Sequence, residues 1–137
     1  METGKITVQA TINKDKERVW ECWHNPEHIT QWNFAADSWC CPRAENDLRV
    51  GGKYMARMEA KDGSFGFDFE AIYDEVAHEE KITYTMMDGR QATTTFENLG
   101  KGTVVTTVFD PEDQNPLEMQ KEGWQAIINN FKAYVEG

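Results

Sequence analysis

Long apolar runs are missing from this sequence, and its opening residues, Met1 to Lys5, show no basic stretch followed by an apolar one. A membrane-spanning helix needs about 20 predominantly apolar residues in a row, and a secretory leader needs that basic-then-apolar order, so neither is expected and the expected compartment is the cytoplasm. Cysteine is scarce and odd in number: three residues in a chain with no export signal argue for reduced thiols rather than a disulfide framework. Positive charge is also short. Fourteen Lys and Arg stand against 24 Asp and Glu, a formal net charge of −10. Such a surface repels phosphate backbones and anionic lipid, which removes nucleic acid from the expected partners and makes a monomer the default expectation. Internal repeats, low-complexity tracts and linkers are absent as well. The 137 residues therefore read as one domain, 1–137, large enough to bury a core without disulfides or metal.

What the chain does contain is alternation and one long helix. Pro116 to Val135 carries Leu117, Trp124, Ile127, Ile128, Phe131 and Val135 at helical spacing, with Asn115 placed to cap it and Pro116 suited to its first turn. Its roughly 20 residues span about 30 Å at 1.5 Å each, so an open sheet can hold the helix along its whole length. Gly123 interrupts it just before Trp124. Glycine inside a helix costs about 1 kcal/mol relative to alanine, which points to close backbone approach or to space left for something else.

Upstream, Ile6, Val8, Ala10 and Ile12 alternate with polar neighbours as in a half-buried strand. A helix begun near Asn13 or Asp15 follows, with Val19, Trp20 and Trp23 on one side. Asn25-Pro26 ends it and starts a second, short helix presenting Ile29 and Trp32. Between Asn33 and Pro42 the pattern is weak, with Ala35, Ala36, Trp39 and Cys40-Cys41 suggesting a second strand, and Arg43 to Asn46 reads as a loop. Gly51-Gly52 leads into a strand with Tyr54, Ala56, Met58 and Ala60 on one face and Lys53, Met55, Arg57 and Glu59 on the other. Asp62-Gly63 marks a hairpin, after which Phe65, Phe67, Phe69, Ala71 and Tyr73 share an inward face opposite Asp68, Glu70 and Asp74. Two more strands carry Ile82, Tyr84 and Met86, then Ala92, Thr94 and Phe96, around an Asp88-Gly89 turn. Lys101-Gly102 closes a further hairpin into Thr103 to Phe109, whose valines fall on both parities and leave its inward face open. This order predicts an α+β fold: a curved antiparallel sheet of about six to seven strands wrapped around the C-terminal helix, with two short helices after strand one. The missing crossover helices exclude a doubly wound parallel sheet.

Few residues suggest chemistry. No serine occupies a nucleophile elbow, and Gly51-Gly52 leads into a strand rather than a helix, unlike a phosphate loop or dinucleotide fingerprint. Metal would have to use Cys22, His24 and His28, or Cys40 and Cys41, and Pro26 breaks the helix on which the two histidines would share a face, so neither metal nor cofactor is expected. The adjacent cysteines read as one buried and one exposed thiol. Arg57, Asp68 and Glu70 could serve acid/base chemistry, yet parity puts them opposite Met58, Phe67 and Phe69, where solvation is the economical reading. Arg49 reads as structural, pairing with Asp47.

Taken in order, Val19-Trp20, Pro26-Glu27 followed by Trp32, the run from Asp47 to Lys53, Ile82 to Thr85 and Gly123-Trp124 resemble the activator of heat-shock-protein-90 ATPase homologue family, of the START-like (SRPBCC) superfamily. The resemblance covers nearly the whole chain. It implies the helix-grip fold, with a cavity between sheet and helix that in relatives takes hydrophobic or aromatic small molecules. Eukaryotic activators carry an additional N-terminal domain that engages the chaperone, for which one domain of this length leaves no room. The expected partner is thus a hydrophobic small molecule of the lipid, sterol or polyphenol class. Its expected contacts are Trp32, Trp39, Tyr54, Met58, Phe67, Phe69, Tyr84, Met86, Phe96, Gly123, Trp124 and Ile127, with Trp20 and Trp23 assigned to packing between helices. A chaperone-accessory role is the alternative. No catalytic residue is expected; a cyclase- or hydrolase-like enzyme would need Arg49, Glu70 or Glu122 facing the cavity beside His24 or His28.

Overall fold

The computed structural model describes residues 5–100 and 102–137. Strands β1 (Ile6–Ile12), β2 (Trp39–Asn46), β3 (Lys53–Ala60), β4 (Gly66–Ala77), β5 (Lys81–Met86), β6 (Gln91–Leu99) and β7 (Gly102–Phe109) form one antiparallel sheet in the order β1-β7-β6-β5-β4-β3-β2. Helices α1 (Lys16–His24) and α2 (Pro26–Trp32) lead from β1 to β2, and α3 (Leu117–Glu136) follows β7. The sheet curls around α3 in the helix-grip arrangement.

Local chemistry explains most boundaries. Asp15 caps α1 by accepting the Arg18 amide at 3.0 Å, and Asn25 caps α2 by accepting that of Glu27 at 2.9 Å, with Pro26 at the first helical position. Helix α3 starts differently from the expectation. Pro116, not Asn115, occupies the cap position and no side chain caps it. Asn115 instead donates to the Glu112 carboxylate at 3.0 Å, while the buried Gln120 donates to the Glu112 and Asn115 carbonyls and accepts the Glu112 amide at 2.9 Å. A side chain one turn inside the helix thus anchors its entry.

Strand β2 also departs from the sequence reading. Ala35 and Ala36 are exposed and precede it, whereas Arg43–Asn46, expected as a loop, pairs with β3 through Asn46–Tyr54. The reason lies at Pro42, which cannot donate to a ladder and falls where the register shifts between Cys40 and Arg43 on an edge strand, a place that tolerates proline. Strand β4 runs past Asp74 to Ala77 because a register shift between Tyr73 and Glu75 makes Asp74 the extra residue, returning Val76 to the core beside Ile82. The β6–β7 turn centres on Gly100 at φ 61°, with Gly102 already paired to Leu99; Lys101, expected in that turn, lies outside the described residues. In β7 the inward residues are Thr103, Val105, Thr107 and Phe109, all buried.

Edge strand β1 is held by α3. Gln125 donates to the Gln9 carbonyl at 3.0 Å and accepts its amide at 3.3 Å, and Lys132 Nζ donates to the Thr11 carbonyl at 2.5 Å. These bonds occupy backbone groups that an open edge would expose. The Arg49–Asp47 pair forms at 2.9 Å, but with Arg49 70% exposed it contributes little to stability. The neighbouring glycine contributes more. A Cβ on Gly52 would lie 2.0 Å from the Asp47 carbonyl oxygen, and the Gly52 amide donates to the Arg49 carbonyl while its carbonyl accepts the Tyr73 amide. Gly52→Ala is expected to cost about 1 to 3 kcal/mol through that backbone clash. Urea melts check this, and an unchanged midpoint would contradict the close approach.

Candidate functional site

A void of about 210 Å³ lies between the sheet and the helices. The strands give it Val8, Tyr54, Met58, Phe67, Phe69, Tyr73, Ile82, Tyr84, Thr94 and Thr107, and the helical side gives Trp23, Trp32, Asn33, Trp124, Ile127 and Ile128. These positions follow from strand parity and from the apolar stripe of α3. Trp23 stacks on Trp32 with centroids 5.1 Å apart, and both meet Phe131 edge-on at 4.9 and 4.8 Å. Trp124 stacks on Phe109 at 3.8 Å. On the sheet side the Tyr54 and Tyr84 rings are parallel to within 11° at 5.9 Å, with Phe69 edge-on to both. The walls are therefore aromatic, and each ring is fixed by another.

The polar groups are few and neutral. Asn33 Nδ2 donates to the Tyr54 hydroxyl at 3.0 Å. The Tyr73 hydroxyl donates to Asn46 Oδ1 at 2.6 Å, and Asn46 Nδ2 in turn donates to the His24 carbonyl at 2.6 Å, tying β4 through β2 to the end of α1. Thr94 and Thr107 share a hydrogen bond at 2.7 Å. Burial is the first cause that raises all three tyrosine hydroxyls above their ordinary pKa, and neighbouring tyrosines raise Tyr54 and Tyr73 further, so the phenols stay protonated near neutral pH. Among the described residues, none lining the void is Asp, Glu, His, Cys, Lys or Arg.

Eight of the residues expected at a ligand line this void: Trp32, Tyr54, Met58, Phe67, Phe69, Tyr84, Trp124 and Ile127. Four do not. Trp39 lies edge-on to Phe65 and Phe67 at 6.0 and 6.3 Å, beside the β3–β4 hairpin where Phe65, expected inside, is 60% exposed. Phe96 is buried and meets Trp20 and Trp23 edge-on at 5.2 and 5.9 Å, and Met86 belongs to the same packed core. Gly123 lines no void, and a Cβ there would meet nothing within 4 Å, which removes close approach as its reason.

Sequence reasoning missed Val8, Trp23, Asn33, Tyr73, Ile82, Thr94, Thr107 and Ile128. For Tyr73 and Thr94 the signal was present, since each shares its strand face with named residues. Trp23 was assigned to helix packing, and its stacking on Trp32 does that while also facing the void. The charged candidates stand elsewhere. Arg57 pairs with Glu59 at 2.9 Å and Asp68 at 3.3 Å, Glu70 pairs with Lys53 at 3.3 Å, and Glu122 is exposed on α3. His24, held below its ordinary pKa by burial first, lies against Trp20, and His28 Nδ1 is 2.6 Å from the Tyr134 hydroxyl.

Because residue 123 faces open space inside a helix, Gly123→Ala is expected to stabilise the fold by about 0.4 to 1 kcal/mol. Thermal melts check the sign, and a loss of stability would mean that something does approach the helix backbone there.

Comparisons with known proteins agree with this architecture. The family model described as activator of Hsp90 ATPase homolog 1-like protein matches residues 13–136. The solution structure of an AHSA1-like protein from Aeromonas hydrophila is 39% identical, with a TM-score of 0.91 over 96% of this chain and 92% of that one. A solution structure from Cytophaga hutchinsonii is 46% identical at a TM-score of 0.84, again over 96% and 92% of the two chains. The crystal structure of a Chromobacterium violaceum protein is 26% identical at a TM-score of 0.87, covering 98% of this chain and 99% of the other. Comparison with curated proteins returned no match. With a family model running from the end of the first strand almost to the last residue, and a 39% identical structure of the same description, the chain belongs to the activator of Hsp90 ATPase homolog 1-like family.

Proposed function

We propose that this chain is a binding domain that holds a small, uncharged, largely apolar molecule between its sheet and its C-terminal helix, without turning it over. One observation carries the reading: a void of about 210 Å³ is walled by aromatic rings and, among the described residues, lined by no acid or base stronger than a tyrosine. Catalysis by proton transfer needs a group that titrates near the working pH, and these buried phenols are pushed away from it. Binding needs only apolar area and shape, at about 25 cal/mol for each Å² removed from water. Met58 adds a side chain that adapts to irregular outlines.

Size narrows the ligand class. An apolar cavity of about 150 Å³ accommodates benzene, so this void suits a molecule of one or two rings. Of the lipid, sterol and polyphenol classes, only the smaller aromatic members match it. A chaperone-accessory role rests on the family description alone, and nothing at the site favours it.

Three of the lining residues are tryptophans, Trp23, Trp32 and Trp124, so occupancy has a built-in reporter. Titration with a panel of small aromatics, fatty acids, sterols and polyphenols is expected to shift emission for the small aromatics. A ligand at about 100 times its Kd should add about 2.7 kcal/mol of stability, readable as a higher melting temperature. Ile127→Phe, which fills the void from the helix side, is expected to fold and to lose that ligand-induced shift. If no panel member moves emission or melting temperature, or if Ile127→Phe binds as well as the parent, this reading is wrong.

A further inference from the structure

Among the residues lining the void, two phenols, and whichever of Thr94 and Thr107 accepts in their shared bond, retain a proton to donate. The Tyr73 proton is committed to Asn46, whereas the Tyr54 oxygen only accepts, from Asn33, and the Tyr84 hydroxyl makes no hydrogen bond to any described residue. No fully enclosed side-chain oxygen or nitrogen among the described residues lacks a partner, so the Tyr84 hydroxyl, buried as its residue is, borders space that a water can reach. The two rings stand side by side, parallel to within 11°. Around them are apolar and aromatic walls; Arg90, the cation that acts on the Tyr84 hydroxyl, is not among the described lining residues and is paired with Asp88 at 2.7 Å.

We infer that Tyr84, with Tyr54 beside it, selects the occupant of the void by a neutral hydrogen-bond acceptor, so that the ligand is a one- or two-ring molecule carrying a carbonyl-type oxygen. The inference rests on the binding role proposed above and names the ligand class within it. A pure hydrocarbon of the same shape would strip water from the Tyr84 hydroxyl and return nothing, leaving a donor unsatisfied. A carboxylate would leave water for a wall without a positive charge, and two phenols do not offset that loss of hydration. A ketone, lactone, quinone or amide oxygen accepts from the phenol and brings no charge with it.

Three probes of matched shape separate these cases: acetylnaphthalene, isopropenylnaphthalene and naphthoate, titrated calorimetrically into the parent chain and into Tyr84→Phe. In the parent the ketone is expected to bind about three- to tenfold more tightly than the hydrocarbon, the advantage of one hydrogen bond, and naphthoate is expected not to bind at neutral pH. In Tyr84→Phe that advantage should collapse while the hydrocarbon binds at least as tightly as to the parent, since it no longer leaves a donor unsatisfied, which shows that the void is intact. Equal binding of ketone and hydrocarbon to the parent, tight binding of naphthoate, or an advantage that survives in Tyr84→Phe overturns the inference and leaves the binding role standing. If none of the three binds but a larger panel member does, the inference also fails. If nothing binds at all, the binding role falls with it.

Discussion

The structure depends on how one long helix is held by a sheet wider than itself. Seven strands at about 4.8 Å spacing span roughly 29 Å, whereas a helix with its side chains covers about 10 to 12 Å. Helix α3 lies closest to β1 and α2 closest to β2, so the helices cover the two edges of the sheet and the middle strands face inward across a gap. Hydrogen bonds from Gln125 and Lys132 fix α3 to the β1 edge, and the sheet must curl to bring the other edge round. What remains over β3, β4 and β5 is closed by large side chains rather than by backbone.

That geometry accounts for the composition of the void. The rings on its walls hold one another in edge-on and parallel contacts, as Tyr54, Phe69 and Tyr84 do. Where small apolar residues face inward, at Ala56, Ala71 and Ala92, the core packs fully. The void is thus confined between the tyrosine cluster on one side and Trp23, Trp32 and Trp124 on the other. Its neutrality has the same origin: the charged residues of β3 and β4 alternate outward, where Arg57, Asp68, Lys53 and Glu70 pair across neighbouring strands.

Features set by local chemistry could be read from the sequence alone. Asp15, Asn25-Pro26, Asp62-Gly63 and Asp88-Gly89 each specify a cap or turn within a few residues, and strand parity placed Tyr54, Met58, Phe69 and Tyr84 inward. Features set by distant partners could not. Pro42 reads as a strand breaker until β2 is known to be an edge, and Asn115 reads as a cap until Glu112 is seen to take its side chain. Phe67 and Phe96 share the inward pattern, yet one lines the void and the other is enclosed by Trp20 and Trp23, a difference that arises only when α1 packs on β6. Gly123 reads in the sequence as close approach or as room left for something else; the open space beside it removes the first, and it is not among the residues lining the void.

The space between α3 and the middle of the sheet is the proposed ligand site. Isotope-filtered nuclear Overhauser spectra of the carbon-13-labelled chain with acetylnaphthalene test it most directly. Contacts are expected from the probe's ring protons to the methyl groups of Val8, Ile82, Thr94, Thr107, Ile127 and Ile128, which surround the void from four strands and the helix. Contacts confined to the exposed Val50, Leu99, Leu117 or Met119, with none to those inner methyls, would contradict it.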